Sequence, residues 1–246
     1  MFEKKVEART PDGMADCEYF APGEDGQWPG VIMYTDVLGI RAVFRDMARQ
    51  LVSSGYSVLL PNLYYRVASD PVFSFKPVFG EEKTVARIAE LRPSAASDLV
   101  ARDVGAYIEA LLAQPQTKGP KVGTVGYCMG GGIAMRTAAA SPDKVGAAAS
   151  FHGSKIYSED ADSPHLLLPM IKAKLYFGFA VEDKTMPPDA IANLKKALTS
   201  NGSNWDDEVY EGAKHGWCVA DHNVYNKVQA ERAWDNMLKL FKSTIG

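Results

Sequence analysis

The stretch Val122-Gly123-Thr124-Val125-Gly126-Tyr127-Cys128-Met129-Gly130-Gly131-Gly132 constrains the fold more than any other part of the chain. Val122, Thr124 and Val125 suit a short buried strand, and Ile133 to Ala140 suits a helix packed against it. Between them lies a turn of the form G-x-C-x-G-G with Cys128 at its apex. A residue held at so sharp a turn takes a strained backbone conformation. Gly126 and Gly130 flank it because side chains there would collide as strand and helix close together. This is the layout of a nucleophile elbow, with cysteine in the place of serine. Unpaired N–H groups and the macrodipole at a helix N-terminus favour the attacking thiolate, and the same N–H groups can receive an oxyanion. The competing reading is a Gly-rich turn in which Cys128 fills space, or which cradles a phosphate. No Lys-Ser/Thr pair follows the glycines, which argues against a P-loop.

The rest of the chain supplies the partners that such a turn needs. Lys5 to Arg9 and Ala15 to Phe20 alternate as two antiparallel strands joined at Pro11-Asp12-Gly13. Val31 to Tyr34 and Tyr56 to Leu60 read as buried strands. Between them, Val43, Phe44, Met47, Ala48, Leu51 and Val52 recur at helical spacing over Ala42 to Ser53, with Gly55 as the stop. Residues 61–92 break the rhythm, and a long excursion in a compact domain is usually functional or mobile. Helical pattern resumes from Ser97 to Leu112. Val145 to Phe151 and Ala173 to Val181 are further strands, Pro188 to Ser200 a helix, Asp207 to Tyr210 a last strand, and the segment carrying Ala233, Trp234, Met237, Leu238 and Phe241 a closing helix. Strands alternating with helices of this length require right-handed crossovers. The expected class is α/β, a mainly parallel central sheet of about seven to eight strands with helices on both faces, in one domain over residues 1–246.

In such sheets the chemistry lies beyond the carboxyl ends of the strands. Asp36, Cys128, Asp183 and His215 all stand there. His215, in Gly212-Ala213-Lys214-His215-Gly216-Trp217, precedes the closing helix and is the best candidate for a base. His152, in Ser150-Phe151-His152-Gly153, also follows a strand, and either lines the pocket or is the base instead. His165 and His222 read as structural or solvated. Asp183 would orient an imidazole, with Glu182 as its rival and helix capping as its alternative role.

Composition narrows the partners. A chain of 246 residues, 46% hydrophobic and 23% charged, is of ordinary globular type. A net charge of −3 with scattered Lys and Arg leaves no footprint for nucleic acid or an anionic membrane. The expected partner is a small molecule, and the expected state a monomer or small homo-oligomer. Cys17, Cys128 and Cys218 are an odd number at unpatterned spacings, against a disulfide framework or a metal site and in favour of a reducing compartment. Met1 to Lys5 lacks the apolar core of a signal peptide and no segment is long and apolar enough to span a bilayer, so the expected location is cytoplasmic. Nothing implies a metal or organic cofactor. A reversible Cys128–Cys218 bridge, in a non-catalytic or redox protein, stays open.

Together these motifs resemble the dienelactone hydrolase family, within the α/β-hydrolase fold, nearly end to end. Gly126 to Gly131 resembles that family's cysteine elbow. Leu60-Pro61-Asn62-Leu63-Tyr64-Tyr65-Arg66 resembles its proline-aspartate-leucine-tyrosine segment, with Asn62 in place of the acid, and the chain order Cys, Asp, His agrees. The resemblance implies Cys128 as nucleophile, His215 as general base and later acid, Asp183 as its orienting partner, and the N–H groups of Met129 and Val37 as oxyanion donors. It also implies that Asp36, where relatives have glutamate, holds the resting thiol, with a reach shorter by roughly 1.5 Å; capping the Ala42 to Ser53 helix is its alternative role. Val219 stands where relatives that take anionic lactones have arginine, and Arg87 is the nearest candidate for a second family arginine. With Tyr34, Tyr64, Phe151 and Trp217 around the site, the expected pocket is more apolar. The expected activity is hydrolysis of a small ester or lactone through an acyl-thioester, with neutral esters taken at least as well as anionic ones. Other chemistry of the same fold, such as thioester or peptide hydrolysis, is the alternative.

Overall fold

The computed structural model describes residues 1–246. Its organising element is one eight-stranded sheet in the order β1-β2-β4-β3-β5-β6-β7-β8. The strands are β1 (Phe2–Thr10), β2 (Gly13–Ala21), β3 (Trp28–Tyr34), β4 (Ser57–Pro61), β5 (Thr117–Tyr127), β6 (Val145–Phe151), β7 (Lys174–Glu182) and β8 (Trp205–Lys214). β1 and β2 form an antiparallel hairpin, β2 pairs antiparallel with β4, and every later pairing is parallel.

Six α-helices cover the sheet: α1 (Ala42–Ser53), α2 (Glu82–Leu91), α3 (Ser97–Leu112), α4 (Met129–Ala140), α5 (Pro188–Ser200) and α6 (Lys227–Thr244). Strand alternation sorts the core into two apolar layers. Ile32 and Tyr34 of β3 face a layer built from α3, α4 and α5, and Val31 and Met33 face a second layer that holds α1 and α6. The helices end where local chemistry stops them. Gly55, at φ 90°, closes α1 with its N–H on Val52 O, while the Asn226 side chain caps α6 by accepting from the Gln229 N–H.

β1, β5 and β8 run longer than expected, and two further differences from the sequence expectation bear on the site. The 61–92 excursion contains α2, followed by a 3₁₀ turn over Arg92–Ala95. Val85, Ile88, Ala89 and Leu91 of α2 do recur at helical spacing, but the helix is only ten residues long and buries just Thr84 and Leu91, so its stripe is short. The helix after the elbow starts at Met129 and takes in the glycines. They belong there because a Cβ on Gly130 would sit 2.6 Å from Thr35 O, and one on Gly131 would sit 2.8 Å from Gly153 Cα. These contacts let α4 lie directly on β3 and β6.

Candidate active site

The parallel strands deliver their following loops to one end of the sheet, and the chemistry-bearing side chains gather there. Cys128, between β5 and α4, has φ 55° and ψ −116°, a conformation that a non-glycine residue holds only under constraint. A Cβ on Gly126 would run into the carbonyl of Gly130, so the turn can close only on glycine. Met129, the first residue of α4, offers an N–H at a helix N-terminus. Val37, in the loop after β3, has an N–H with no acceptor in the protein, and its carbonyl is held by the Tyr64 hydroxyl at 2.9 Å.

Asp183 and His215 follow β7 and β8. Nδ1 of His215 lies 2.7 Å from Asp183 Oδ2, while Asp183 Oδ1 accepts from the Thr185 N–H and hydroxyl, each at 2.8 Å. With Nδ1 so engaged, the opposite ring nitrogen is left for Cys128. Burial alone would lower the pKa of His215, but hydrogen bonds to Asp183 and Cys128 and the charges of both outweigh it and push it up to about 10. Burial likewise works to raise Asp183, and its bonds to His215 and Thr185 hold it below the ordinary value instead. Glu182 points to solvent and pairs with Lys214 at 3.5 Å.

His152 sits in a different setting from His215. It is buried at φ 39°, its Nδ1 accepts from the Cys128 N–H at 3.1 Å, and burial drives its pKa down to about 3. Its ring stands edge-on to those of His215 and Trp217, with centroids 5.1 and 5.2 Å away. A neutral imidazole that supports the elbow backbone fits this setting better than a base.

Several residues expected around the pocket lie elsewhere. Asp36 does not bond the thiol or cap α1. Its carboxylate is fully buried and takes both ends of the Arg41 guanidinium, at 2.8 and 2.9 Å, His222 Nε2 at 3.0 Å and the Leu38 N–H at 2.9 Å. Arg41 and His222 outweigh the burial penalty and hold its pKa down at about 2. Tyr34 is fully buried against α4, its hydroxyl 2.8 Å from Thr137 Oγ1. Phe151 stacks on Tyr127 at 5.7 Å and Trp217 packs on Tyr210 at 5.2 Å, both inside the core. Tyr64 is buried behind Val37 and Met129 instead of lining the cleft. Arg87 turns away to Glu90 at 2.7 Å and Val72 O at 3.1 Å. Val219 is core, and Cys218 is a free thiol in the same apolar layer, raised by burial well above its usual range.

Cys128, His215, Val37, Met129 and Ser154 share a cleft of about 980 Å³. Its walls are α2, the 3₁₀ turn after it, the start of α3 and one face of α4, with Phe79, Val85 and Ile88 giving an apolar side. Sequence reasoning missed Ser154, Thr185, Arg92 and Arg136. The first two follow β6 and β7, where the strand-end rule points, whereas the two arginines sit on helical segments with no motif around them. Arg136 pairs with Asp162 at 3.7 Å and Lys155 with Asp160 at 3.1 Å. Another hollow, of about 270 Å³, lies between β7, β8 and α6 among Lys174, Asp206, Glu208 and Asn236 and has no cysteine or histidine in its lining. No group of three or more His, Cys, Asp or Glu side chains converges as a metal site, and no helix is long and apolar enough to cross a membrane.

The profile of the dienelactone hydrolase family matches residues 17–245. A Synechocystis protein provisionally named carboxymethylenebutenolidase is 30% identical over 226 residues, 89% of this chain and 88% of that one. The carboxymethylenebutenolidase of Rhodococcus opacus is 25% identical over 254 residues, covering 97% of this chain and 91% of its own. Among solved structures, a provisionally assigned dienelactone hydrolase from Klebsiella pneumoniae superposes with a TM-score of 0.85 at 21% identity, over 98% of each chain.

Proposed function

This chain belongs to the dienelactone hydrolase family, and from that premise we propose that it hydrolyses small carboxylic esters or lactones through Cys128, His215 and Asp183. The observation that carries the reading is the Asp183–His215 bond of 2.7 Å, in one cleft with a cysteine at φ 55°. In the resting enzyme the imidazolium of His215 faces the thiolate of Cys128. The sulfur attacks the ester carbonyl, and the oxyanion is received by the N–H groups of Met129 and Val37. His215 gives its proton to the departing alkoxide, leaving an acyl-thioester on Cys128.

The second half-reaction follows from the same electrostatics. Two of the influences that raise His215 come from Cys128, and acylation removes both. The imidazole then stays neutral and takes a proton from the incoming water, with Asp183 stabilising the charge that develops. A second tetrahedral intermediate collapses to the carboxylic acid and restores the thiolate–imidazolium pair. Nothing in this sequence calls for a cofactor. Three free cysteines suit a reducing, cytoplasmic setting.

The test is Cys128→Ala. Turnover of a small activated aryl ester is expected to disappear while the circular dichroism spectrum and melting curve stay those of a folded protein. Wild-type turnover in that variant would sink the assignment.

A further inference from the structure

The non-glycine residues with positive φ in the whole molecule are Cys128 at 55°, His152 at 39° and Lys155 at 50°, and they meet in one place. Strain of this kind persists only where the surroundings over-determine it. Cys128 is the apex of the elbow. His152 and Lys155 bracket a short loop, Gly153 and Ser154, that leaves β6 and presses against it. The Ser154 N–H donates to Cys128 O at 3.1 Å, and the Cys128 N–H donates back to His152 Nδ1 at 3.1 Å. Gly153 has no room for a side chain, since a Cβ would come within 2.8 Å of Ile156 Cδ1. This stitching sets the Ser154 hydroxyl 3.5 Å from Cys128 Sγ, and that hydroxyl has no other partner in the protein.

We propose that Ser154 is a catalytic residue whose hydroxyl donates to the Cys128 thiolate in the resting enzyme, fixing the sulfur beside His215 until a substrate carbonyl arrives. The inference rests on the reading of Cys128 as nucleophile. A thiolate has no proton to give, so in the ion-paired state the hydroxyl must be the donor. The acid after β3 is not available for the task, because both oxygens of Asp36 are spent on Arg41, His222 and Leu38. A hydroxyl also suits the role chemically. It is uncharged, so it does not repel the thiolate, and it can rotate away once the sulfur carries an acyl group.

The other titratable and charged groups around Cys128 are His215 with Asp183 behind it, His152 on the elbow N–H, Tyr64 behind Val37 and Met129, and Lys155 and Arg92 in the lining of the cleft. All of them remain when Ser154 is changed. The backbone bond from Ser154 to Cys128 also survives in Ser154→Ala, so this variant removes the hydroxyl and leaves the stitched loop. Ser154→Thr keeps the hydroxyl.

The experiment alkylates the full-length protein with iodoacetamide across a pH series and follows the Cys128 peptide by mass spectrometry. Cys17 and Cys218 are buried, with thiols raised by that burial, so they react slowly. For Ser154→Ala the midpoint of the rate profile is expected to move up by about one pH unit, with alkylation about tenfold slower on the acid side. Ser154→Thr is expected to restore most of the difference. Superimposable profiles for wild type and Ser154→Ala, or a Thr variant that behaves like Ala, would overturn the proposal. Because this measurement does not pass through ester turnover, it judges Ser154 separately from the outcome of Cys128→Ala.

Discussion

At the scale of single residues, the pH dependence turns on His215. If His215 acts as proposed, its pKa of about 10 predicts that kcat/KM falls on an alkaline limb near that pH, where the imidazolium that would protonate the leaving alkoxide is lost. Asp183→Asn removes the strongest influence that raises His215, so the limb is expected to shift toward neutral pH; a limb that stays in place would detach Asp183 from the chemistry. His215→Ala is expected to lower kcat/KM by several orders of magnitude, and His152→Ala to lower it far less while reducing thermal stability, since His152 is fully buried. The reverse ranking would make His152 the base. The linkage sign follows from the raised pKa. The His215 pair stabilises the fold fully below its ordinary value of 6.5, and that contribution is lost as pH rises through about 10. That Cys128, Asp183 and His215 converge at one end of the sheet was legible because each combines a reactive side chain with a strand end. Ser154 was not, since one serine after a glycine carries no pattern. For Asp36 the position could be read but its partners could not, because Arg41 and His222 reach it from separate segments.

At the scale of elements, the loops after β3 and β8 are clamped together. Arg41 bonds Asp36 on its own loop and Asp221 on the other at 2.7 and 2.9 Å, and His222 joins Asp36 from the same far loop. The first loop carries Val37 and the second carries His215. Asp36→Asn leaves the Arg41 guanidinium largely buried beside a neutral amide, and is expected to cost about 3 kcal/mol, read as a lower denaturation midpoint. Asp36 is held at about 2, below its ordinary 3.8, so its stabilisation is full above pH 3.8 and lost as pH falls through about 2. The variant should lack that acid step. Elements with a full apolar face could be read closely: the expected bounds of α1 and β6 coincide with the structure. α2 stayed hidden because its apolar stripe, Val85, Ile88 and Ala89, spans little more than one turn inside a long irregular stretch and faces the cleft instead of the core.

At the scale of the whole molecule, the cleft decides which esters fit. Its charged side chains pair off, Arg136 with Asp162, Lys155 with Asp160 and His215 with Asp183, except for Arg92, which has no ion pair. The expectation of a neutral preference rested on the arginine that relatives carry being replaced by Val219, which is core, and Arg92 is a cleft arginine that it left out of account. With Arg92 unpaired, an ester bearing a carboxylate is expected to be favoured over a neutral one of equal size by about threefold to tenfold, as suits an exposed charge. A matched panel compared by kcat/KM, repeated on Arg92→Gln, checks this: the preference should vanish in the variant. The site draws on the ends of β3, β5, β6, β7 and β8, so no continuous piece of the chain contains it. Synthesis releases the elbow first and Asp183 and His215 afterwards. On the proposed roles, a growing chain that ends within β7 carries its cysteine without the acid and base that would set it to work, and the triad is complete only once β8 and the His215 that follows it have been made.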